Sequence, residues 1–149
     1  MNHQEEYPSE YLADILASVK TIAMIGASPD ATKFSYGVLR VLHEQGYNMK
    51  PINPRTDITE IRGIPTFRSL ADVDETVDMV QVFRKSEALP GIAQQAIDIG
   101  AKVLWSQIGV YSEEAAQMAE EAGLQVVMNR CPKIELFRPF WKPKLHLGI

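Results

Sequence analysis

The sequence predicts an α/β protein built on an open parallel β-sheet with helices on both faces. Short apolar segments alternate with helix-like segments, which is typical of parallel strands joined by helical crossovers. The first apolar segment, residues 21–26, runs into the turn Gly26-Ala27-Ser28, and a helix-like stretch follows at residues 34–45. A strand, a small-residue turn and a helix are the unit by which such sheets offer backbone N–H groups to an anion.

The remaining elements follow in a regular order along the chain. Ser9 is expected to cap a first helix, Pro90 to lie in the first turn of a later one and Ser112 to begin another. The expected strands are residues 21–26, 47–52, 61–67, 77–83, 102–106 and 125–128. Pro65 makes the third segment an edge strand, because proline has no N–H for a neighbouring strand. Right-handed crossovers then favour the strand order 3-2-1-4-5-6.

Composition limits the classes of function. The 149 residues, 46% of them apolar, predict one domain (1–149) with its core at residues 9–135 and a tail at 138–149. The formal charge of −4 argues against broad nucleic-acid binding, and no apolar stretch reaches the roughly 18 residues of a membrane span. The sequence shows no metal-ligand spacing. The single cysteine excludes an internal disulfide and the N-terminus is polar, so we expect a cytoplasmic protein.

The expected ligand site lies between strands one and four, where the strand order reverses. The turn Gly26-Ala27-Ser28 should face residues 83–86 there, and a side chain at position 26 would obstruct a phosphate. Ser28 occupies the position of the second glycine in a dinucleotide fingerprint, and the next glycine is Gly37. The ligand is therefore expected to be a phosphorylated nucleotide other than ordinary NAD.

Each candidate side chain also has an ordinary structural explanation. Lys33 either meets a phosphate or is solvated, and Asn53 with Pro54 either borders a nucleotide or forms a plain turn. Phe83 and Arg84 either stack on a base and pair with a phosphate, or are a core ring and a surface charge.

Two further candidates follow the last strands. Gln107 stands at the edge of the crevice, where it is able to bond an amide-rich arm of a ligand. Cys131 is reactive if Arg130 or Lys133 stabilises its thiolate, and is otherwise an inert core residue. None of the three histidines lies at the end of a predicted strand, so we expect neither a catalytic residue nor a metal.

Five segments together carry a resemblance to a family. They are IGAS at residues 25–28, PINP at 51–54, VDMVQVFR at 77–84, VLWSQIG at 103–109 and NRCPKIE at 129–135. In this order and spacing they resemble the small stand-alone coenzyme A (CoA)-binding proteins, which are similar to the CoA-binding domain of the succinyl-CoA synthetase alpha subunit. The resemblance covers residues 9–135 and implies a Rossmann-like fold with CoA or an acyl-CoA as ligand.

The resemblance also implies roles for individual residues. Gly26, Ala27 and Ser28 would approach the CoA phosphates, and Asn53 and Pro54 would border the nucleotide. Phe83 and Arg84 would hold the adenine and phosphate side of CoA. Gln107 and Gly109 would follow the pantetheine arm, and Cys131 would lie near the CoA thiol. The synthetase's second alpha domain, with its phosphorylated histidine, has no counterpart in the sequence. We therefore expect CoA binding without catalysis.

Two other functions remain open on the sequence. One is an NADP-linked oxidoreductase that uses the same crevice, with Arg55 on the 2′-phosphate. The other is a module that senses acyl-CoA or redox state, through Cys131 and a protein partner. A homo-oligomer is also compatible with the sequence.

Overall fold

Five parallel strands form the centre of the molecule in the computed structural model, which describes residues 1–138. The strands of this sheet are β1 (Thr21–Ile25), β2 (Asn48–Ile52), β5 (Met79–Val82), β6 (Val103–Ser106) and β7 (Gln125–Val127). Their spatial order is β2-β1-β5-β6-β7, and every neighbouring pair is parallel. Every residue of β1, β5 and β6 is buried, as expected for strands that are covered on both faces. The predicted tail, apart from Arg138, lies outside the described residues.

The predicted strand order is correct for five strands and wrong for the third. Residues 61–67 contribute instead to a separate antiparallel hairpin of β3 (Glu60–Ile61) and β4 (Ile64–Pro65). The chain reverses at Arg62 and Gly63, which have φ values of 53° and 77°, as a tight two-residue hairpin turn requires. A single parallel bridge from Phe67 to Ile52 attaches this segment to the edge of β2. Because the chain reverses at this turn, residues 61–67 do not form a sixth strand of the parallel sheet.

Helices cover both faces of the sheet, as predicted. They are α1 (Ser9–Ser18), α2 (Phe34–Glu44), α3 (Leu89–Asp98), α4 (Glu113–Glu121) and α5 (Pro132–Leu136). Helices α1, α2 and α5 pack in one apolar core, and α3 and α4 pack in the other. The short α5, which the sequence analysis did not predict, begins directly after the loop that follows β7 and contacts both α1 and α2.

The predictions for the helix starts have mixed outcomes. Ser9 does not cap α1, because it is already helical and Pro8 occupies the cap position without a side-chain hydrogen bond. Ser112 does cap α4, where its side-chain oxygen accepts a bond of 3.1 Å from the Ala115 N–H. Pro90 lies in the first turn of α3, as predicted.

Candidate functional site

A cavity of about 1090 Å³ opens at the carboxyl edge of the sheet, beside the ends of β1, β5, β6 and β7. Its walls come from the segments that follow these four strands and from the first turns of α2. Most small-molecule sites measure about 300–1,000 Å³, so this cavity admits a ligand of nucleotide size or larger. It lies where the strand order reverses, which is the expected place for a ligand in an open parallel sheet.

The structure divides the predicted site residues into two groups. Those that line the cavity are Lys33, Phe83, Arg84, Gln107 and Cys131. Those outside its lining are Gly26, Ala27, Ser28, Asn53, Pro54 and Gly109. The direct contact of either group with a ligand stays a prediction.

The turn after β1 is joined to the end of β2 by hydrogen bonds within the protein. The N–H groups of Gly26 and Ala27 both donate to the carbonyl of Ile52 at 3.3 Å. The side chain of Asn53 donates through Nδ2 to the carbonyl of Ala27 at 2.8 Å. Position 26 has a φ of +88°, and a Cβ built there would lie 2.2 Å from the carbonyl oxygen of Phe83. A side chain at this position would therefore meet the neighbouring strand segment, a more immediate obstacle than the phosphate contact expected from the sequence.

The loop between β1 and α2 is ordered by its own polar groups and leaves the start of α2 open. Ser28 Oγ accepts a bond from the Asp30 N–H at 3.1 Å. The Thr32 hydroxyl and N–H both donate to Asp30 Oδ1, and these bonds hold the pKa of the Asp30 carboxyl below its usual range. Lys33 occupies the cap position of α2, whose first turn has neither a capping side chain nor an acidic residue. The Tyr36 N–H of this turn bonds the carbonyl of Lys33 at 3.2 Å, and no described side chain caps the helix start, which lies beside the cavity.

The charges around the cavity are predominantly positive. Among residues 1–138, the cations Lys33, Arg84, Lys85 and Lys133 line it, together with one carboxylate, Glu87. Within residues 1–138 none of the four cations takes part in an ion pair. The cavity is therefore locally positive in a chain whose formal charge is −4, and this polarity suits a phosphorylated ligand.

A buried pair of amides lies at the wall of the cavity. Gln81, which is fully buried in β5, donates through Nε2 to Gln107 Oε1 at 3.0 Å. Gln107 is 9% exposed and lines the cavity. The bond from Gln81 occupies the carbonyl end of Gln107, so the amide nitrogen of Gln107 is left to donate to a ligand.

Cys131 lines the cavity together with Lys133 and is 5% exposed. Arg130, the other cation expected near the thiol, is held elsewhere. Its guanidinium carbon lies 5.0 Å from the ring centre of Tyr7, and its Nη1 donates to the carbonyl of Asn129 at 2.9 Å. Lys133 is therefore the better placed of the two cations to act on Cys131 or on a ligand beside it.

Three large apolar side chains at the cavity were not singled out from the sequence. Phe34, Ile108 and Ile134 line it and are 87%, 57% and 48% exposed. They belong to a helix start, a turn and a short helix, where apolar periodicity gives no signal. For Ile108 alone, the sequence offered an indication of exposure, because this isoleucine stands between Gln107 and Gly109 in a turn.

The described histidines lie away from the cavity. Burial raises the pKa of Tyr7 to about 12, so its hydroxyl stays protonated and bonds His3 Nδ1 at 2.7 Å. The His3 Nε2 bonds Glu120 Oε1 at 2.8 Å. His43 lies in the last turn of α2, and His146 falls outside the described residues. Among residues 1–138 no cluster of three or more histidine, cysteine, aspartate or glutamate side chains is arranged to hold a metal ion.

None of the helices formed by residues 1–138 is long and apolar enough to cross a bilayer.

Comparison with known proteins identifies relatives along most of the chain. YneT of Bacillus subtilis (strain 168), an uncharacterised protein, is 38% identical over 123 residues, which are 83% of this chain and 90% of YneT. An ADP-forming acetate–CoA ligase of Methanocaldococcus jannaschii is 25% identical over 130 residues, 82% of this chain but only 18% of the ligase. The solved structure of a hypothetical protein from Pyrococcus horikoshii OT3 is similar, with 34% sequence identity and a TM-score of 0.84. The match covers 91% of this chain and 94% of that one.

These similarities agree with the fold. The chain spans less than a fifth of the ligase that it matches, so the two share one region of the larger protein. The family model of the CoA binding domain matches residues 20–136, a range that contains the whole sheet and every residue that lines the cavity. The chain belongs to the CoA-binding domain family.

Proposed function

We propose that the protein binds CoA, or a thioester of CoA, in the cavity at the carboxyl edge of the sheet, without catalysing a reaction. One observation carries this proposal: four cations, which form no ion pair within residues 1–138, surround a largely apolar cavity in a chain of the CoA-binding domain family. CoA combines three phosphate groups with a long pantetheine arm. A cavity that pairs positive charge with apolar walls matches both parts of such a ligand.

The distribution of charge gives the bound ligand a direction. Lys33, Arg84 and Lys85 come from the segments after β1 and β5, next to the open N-terminus of α2. We place the phosphates there, with Phe83 beside the adenine. The pantetheine arm then runs toward β6 and β7, where Gln107 lines the cavity.

The turn residues outside the lining support this arrangement from behind. Gly26, Ala27 and Asn53 hold the ends of β1 and β2 together, which fixes the loop that leads to α2. We propose that Ser28 and Pro54, which follow β1 and β2, and Gly109, which follows β6, also lie near the ligand.

The composition of the cavity supports a binding role rather than catalysis. Apart from the four cations, the titratable groups that line it are Glu87 and Cys131. The carbonyl of Cys131 accepts a helix bond from Glu135, and no base within residues 1–138 is hydrogen-bonded to the thiol. A nucleophile, a base and a group that stabilises an oxyanion are therefore not assembled in the described structure. We propose the cytoplasm as its compartment, since the single cysteine suits a reducing environment.

The NADP-linked alternative has weaker support. Arg55, which would hold the 2′-phosphate, forms two side-chain hydrogen bonds with Asp57 at 3.1 and 2.7 Å. It also lies outside the lining of the cavity. The sensing alternative has one observation in its favour, because Cys131 lines the cavity beside Lys133. A role for Cys131 would accompany CoA binding and not replace it.

Calorimetric titration with CoA, dephospho-CoA, NADP and NAD tests the proposal. We expect CoA to bind at least tenfold more tightly than NADP or NAD, and dephospho-CoA to bind more weakly than CoA because it lacks one phosphate. An NADP affinity equal to that of CoA would contradict the proposal. Release of free thiol from acetyl-CoA, above the rate without protein, would contradict the absence of catalysis.

A further inference from the structure

The two halves of the cavity differ in chemistry. Among the described residues, three of its four cations follow β1 and β5, where Phe34 and Phe83 also line it. The segments after β6 and β7 bring Ile108, Val110 and Ile134 to its wall, with the fourth cation, Lys133. Because phosphates are attracted to the cationic half, the sulfur end of a CoA molecule lies in the apolar half. The residues of that half therefore contact whatever group is attached to the CoA sulfur.

The apolar half exposes more hydrophobic surface than a free thiol would cover. Ile108 is 57% exposed and Ile134 is 48% exposed, although most large apolar side chains of the described chain are buried. A thiol is a single small group, so a bound free CoA would leave both isoleucines in contact with water. An apolar chain attached to the sulfur would cover them, which is favourable in proportion to the area removed from water.

A hydrogen-bond donor stands in the same half. The Oε1 of Gln107 is occupied by Gln81, which fixes the side chain and leaves the Nε2 group without a protein partner within residues 1–138. Gln107 is more than nine-tenths buried and lines the cavity. An amide N–H group at the cavity wall that has no partner among the described residues favours a ligand that offers a carbonyl oxygen at this point.

We propose that the protein is selective for acyl-CoA thioesters with an apolar acyl chain over free CoA. Gln107 Nε2 donates to the thioester carbonyl, and the acyl chain packs on Ile108 and Ile134. This inference rests on the proposed function, because it assumes that the phosphates of CoA occupy the cationic half of the same cavity.

Affinities for four ligands test the inference by calorimetry. CoA, acetyl-CoA, hexanoyl-CoA and S-hexyl-CoA differ in the length of the chain on sulfur and in the thioester carbonyl. Each fully buried methylene increases affinity by about fourfold, so we expect hexanoyl-CoA to bind at least tenfold more tightly than CoA, with acetyl-CoA between them. S-hexyl-CoA keeps the chain but lacks the carbonyl, and we expect it to bind about three- to tenfold more weakly than hexanoyl-CoA.

Variants separate the two contacts. In the double variant Ile108→Thr and Ile134→Gln, we expect the ratio of hexanoyl-CoA to CoA affinity to fall toward one. In Gln107→Glu, which keeps an oxygen for Gln81 but removes the donor, we expect hexanoyl-CoA and S-hexyl-CoA to bind about equally. Phe137→Gln is the matched control, because Phe137 is 44% exposed but lies outside the cavity lining, and both ratios should stay unchanged.

The outcomes distinguish this inference from the function on which it rests. If CoA binds and hexanoyl-CoA binds no more tightly, the acyl selectivity is wrong and CoA binding stands. If none of the four ligands binds, the proposed function fails and the inference fails with it. Equal affinities for CoA and hexanoyl-CoA, together with a dimer in sedimentation that the Ile108→Thr and Ile134→Gln variant dissociates, would assign the apolar surface to a second copy of the chain.

Discussion

The two ends of the carboxyl edge share one local pattern, a strand followed by a polar turn, but use it differently. After β1 and β2, the polar groups bond to one another: Gly26 and Ala27 donate to Ile52, and Asn53 donates to Ala27. After β5 and β6, some polar groups also bond within the protein, as the Gly109 N–H does to Asn129 Oδ1 at 2.7 Å. Within the described chain, however, Arg84 has no ion pair and the amide nitrogen of Gln107 has no protein acceptor. The turns directly after β1 and β2 brace the sheet, whereas Arg84 and Gln107 are open to a ligand.

The contrast shows that residue type alone does not separate polar groups that stabilise the fold from those available to a ligand. Their hydrogen-bond partners separate the two kinds better. A polar group that is already satisfied within the protein gains little from a ligand, whereas a partly buried and unsatisfied group gains a full interaction. Both ends offer glycine, amide and cationic residues at strand ends. Their different partners become visible only when the distant segments are brought together.

The largest expected effect comes from breaking the brace at Gly26. In Gly26→Ala, the new Cβ would lie 2.2 Å from the Phe83 carbonyl oxygen, at a φ of +88°. Strain at such a φ and overpacking each cost about 1–3 kcal/mol, so we expect the free energy of unfolding to fall by about 2–6 kcal/mol. Urea denaturation followed by circular dichroism measures this loss.

Gly123→Ala is the matched control for this prediction. Gly123 has a similar φ of +94°, but no atom lies within 4 Å of a Cβ built there. It therefore reports the cost of the backbone conformation alone, which we expect to be the smaller loss. Equal losses in the two variants would show that the contact with Phe83 relaxes without cost, and that Gly26 is not part of a rigid brace.

The second effect concerns the open end of the edge. Arg84→Ala removes a cation that lines the cavity without an ion pair in the described chain, and we expect CoA binding to weaken by about 1–3 kcal/mol with little change in stability. Calorimetry at low and high salt measures it, and the difference should shrink at high salt because part of it is electrostatic. Arg68→Ala, an exposed arginine outside the lining, is the control. Equal CoA affinities in the two variants would make Arg84 an ordinary surface charge.

The third effect compares the two ends directly. Asn53→Ala removes the 2.8 Å bond to the Ala27 carbonyl, and we expect the free energy of unfolding to fall by about 1 kcal/mol. Because Asn53 lies outside the cavity lining, its effect on CoA affinity should be smaller than that of Arg84→Ala. A loss of affinity as large as for Arg84→Ala would extend the ligand site to the end of β2.

Much of the fold was predictable because local patterns determine it. Apolar runs gave the five strands, and the Ser112 cap and Pro90 marked two helix starts. The third strand was not predictable, since the reversal at Arg62 and Gly63 depends on two left-handed residues, one of which is not glycine. The sequence also gave no means to see that Asn53 bonds Ala27, because that contact joins segments 26 residues apart.

The position of the cavity was predictable, but several of the residues that line it were not. The switch point follows from the strand order, and Lys33, Phe83 and Arg84 line the cavity there. Phe34 and Ile134 were missed because an exposed apolar residue has no periodic partner that would reveal it. Only the assembled edge shows that they border one cavity.

The smallest expected effect is a slow modification of Cys131 at the open end. The thiol lines the cavity but is only 5% exposed, so we expect partial reaction with CoA disulfide over hours. In this step the Cys131 thiolate attacks one sulfur of CoA disulfide, a mixed disulfide forms, and the second CoA leaves as a thiol. Intact-mass spectrometry would detect the addition of one CoA.

Three variants test which side chain reacts with CoA disulfide and which neighbouring cation promotes the reaction. Cys131→Ser should show no added mass, since the protein has no other cysteine. Lys133→Ala should slow the reaction, because Lys133 lines the same cavity, whereas Arg130→Ala should slow it less, because Arg130 is held against Tyr7. A wild-type protein that binds CoA and remains unmodified would make Cys131 a packing residue of the cavity wall, and the open end would then be a binding surface without redox chemistry.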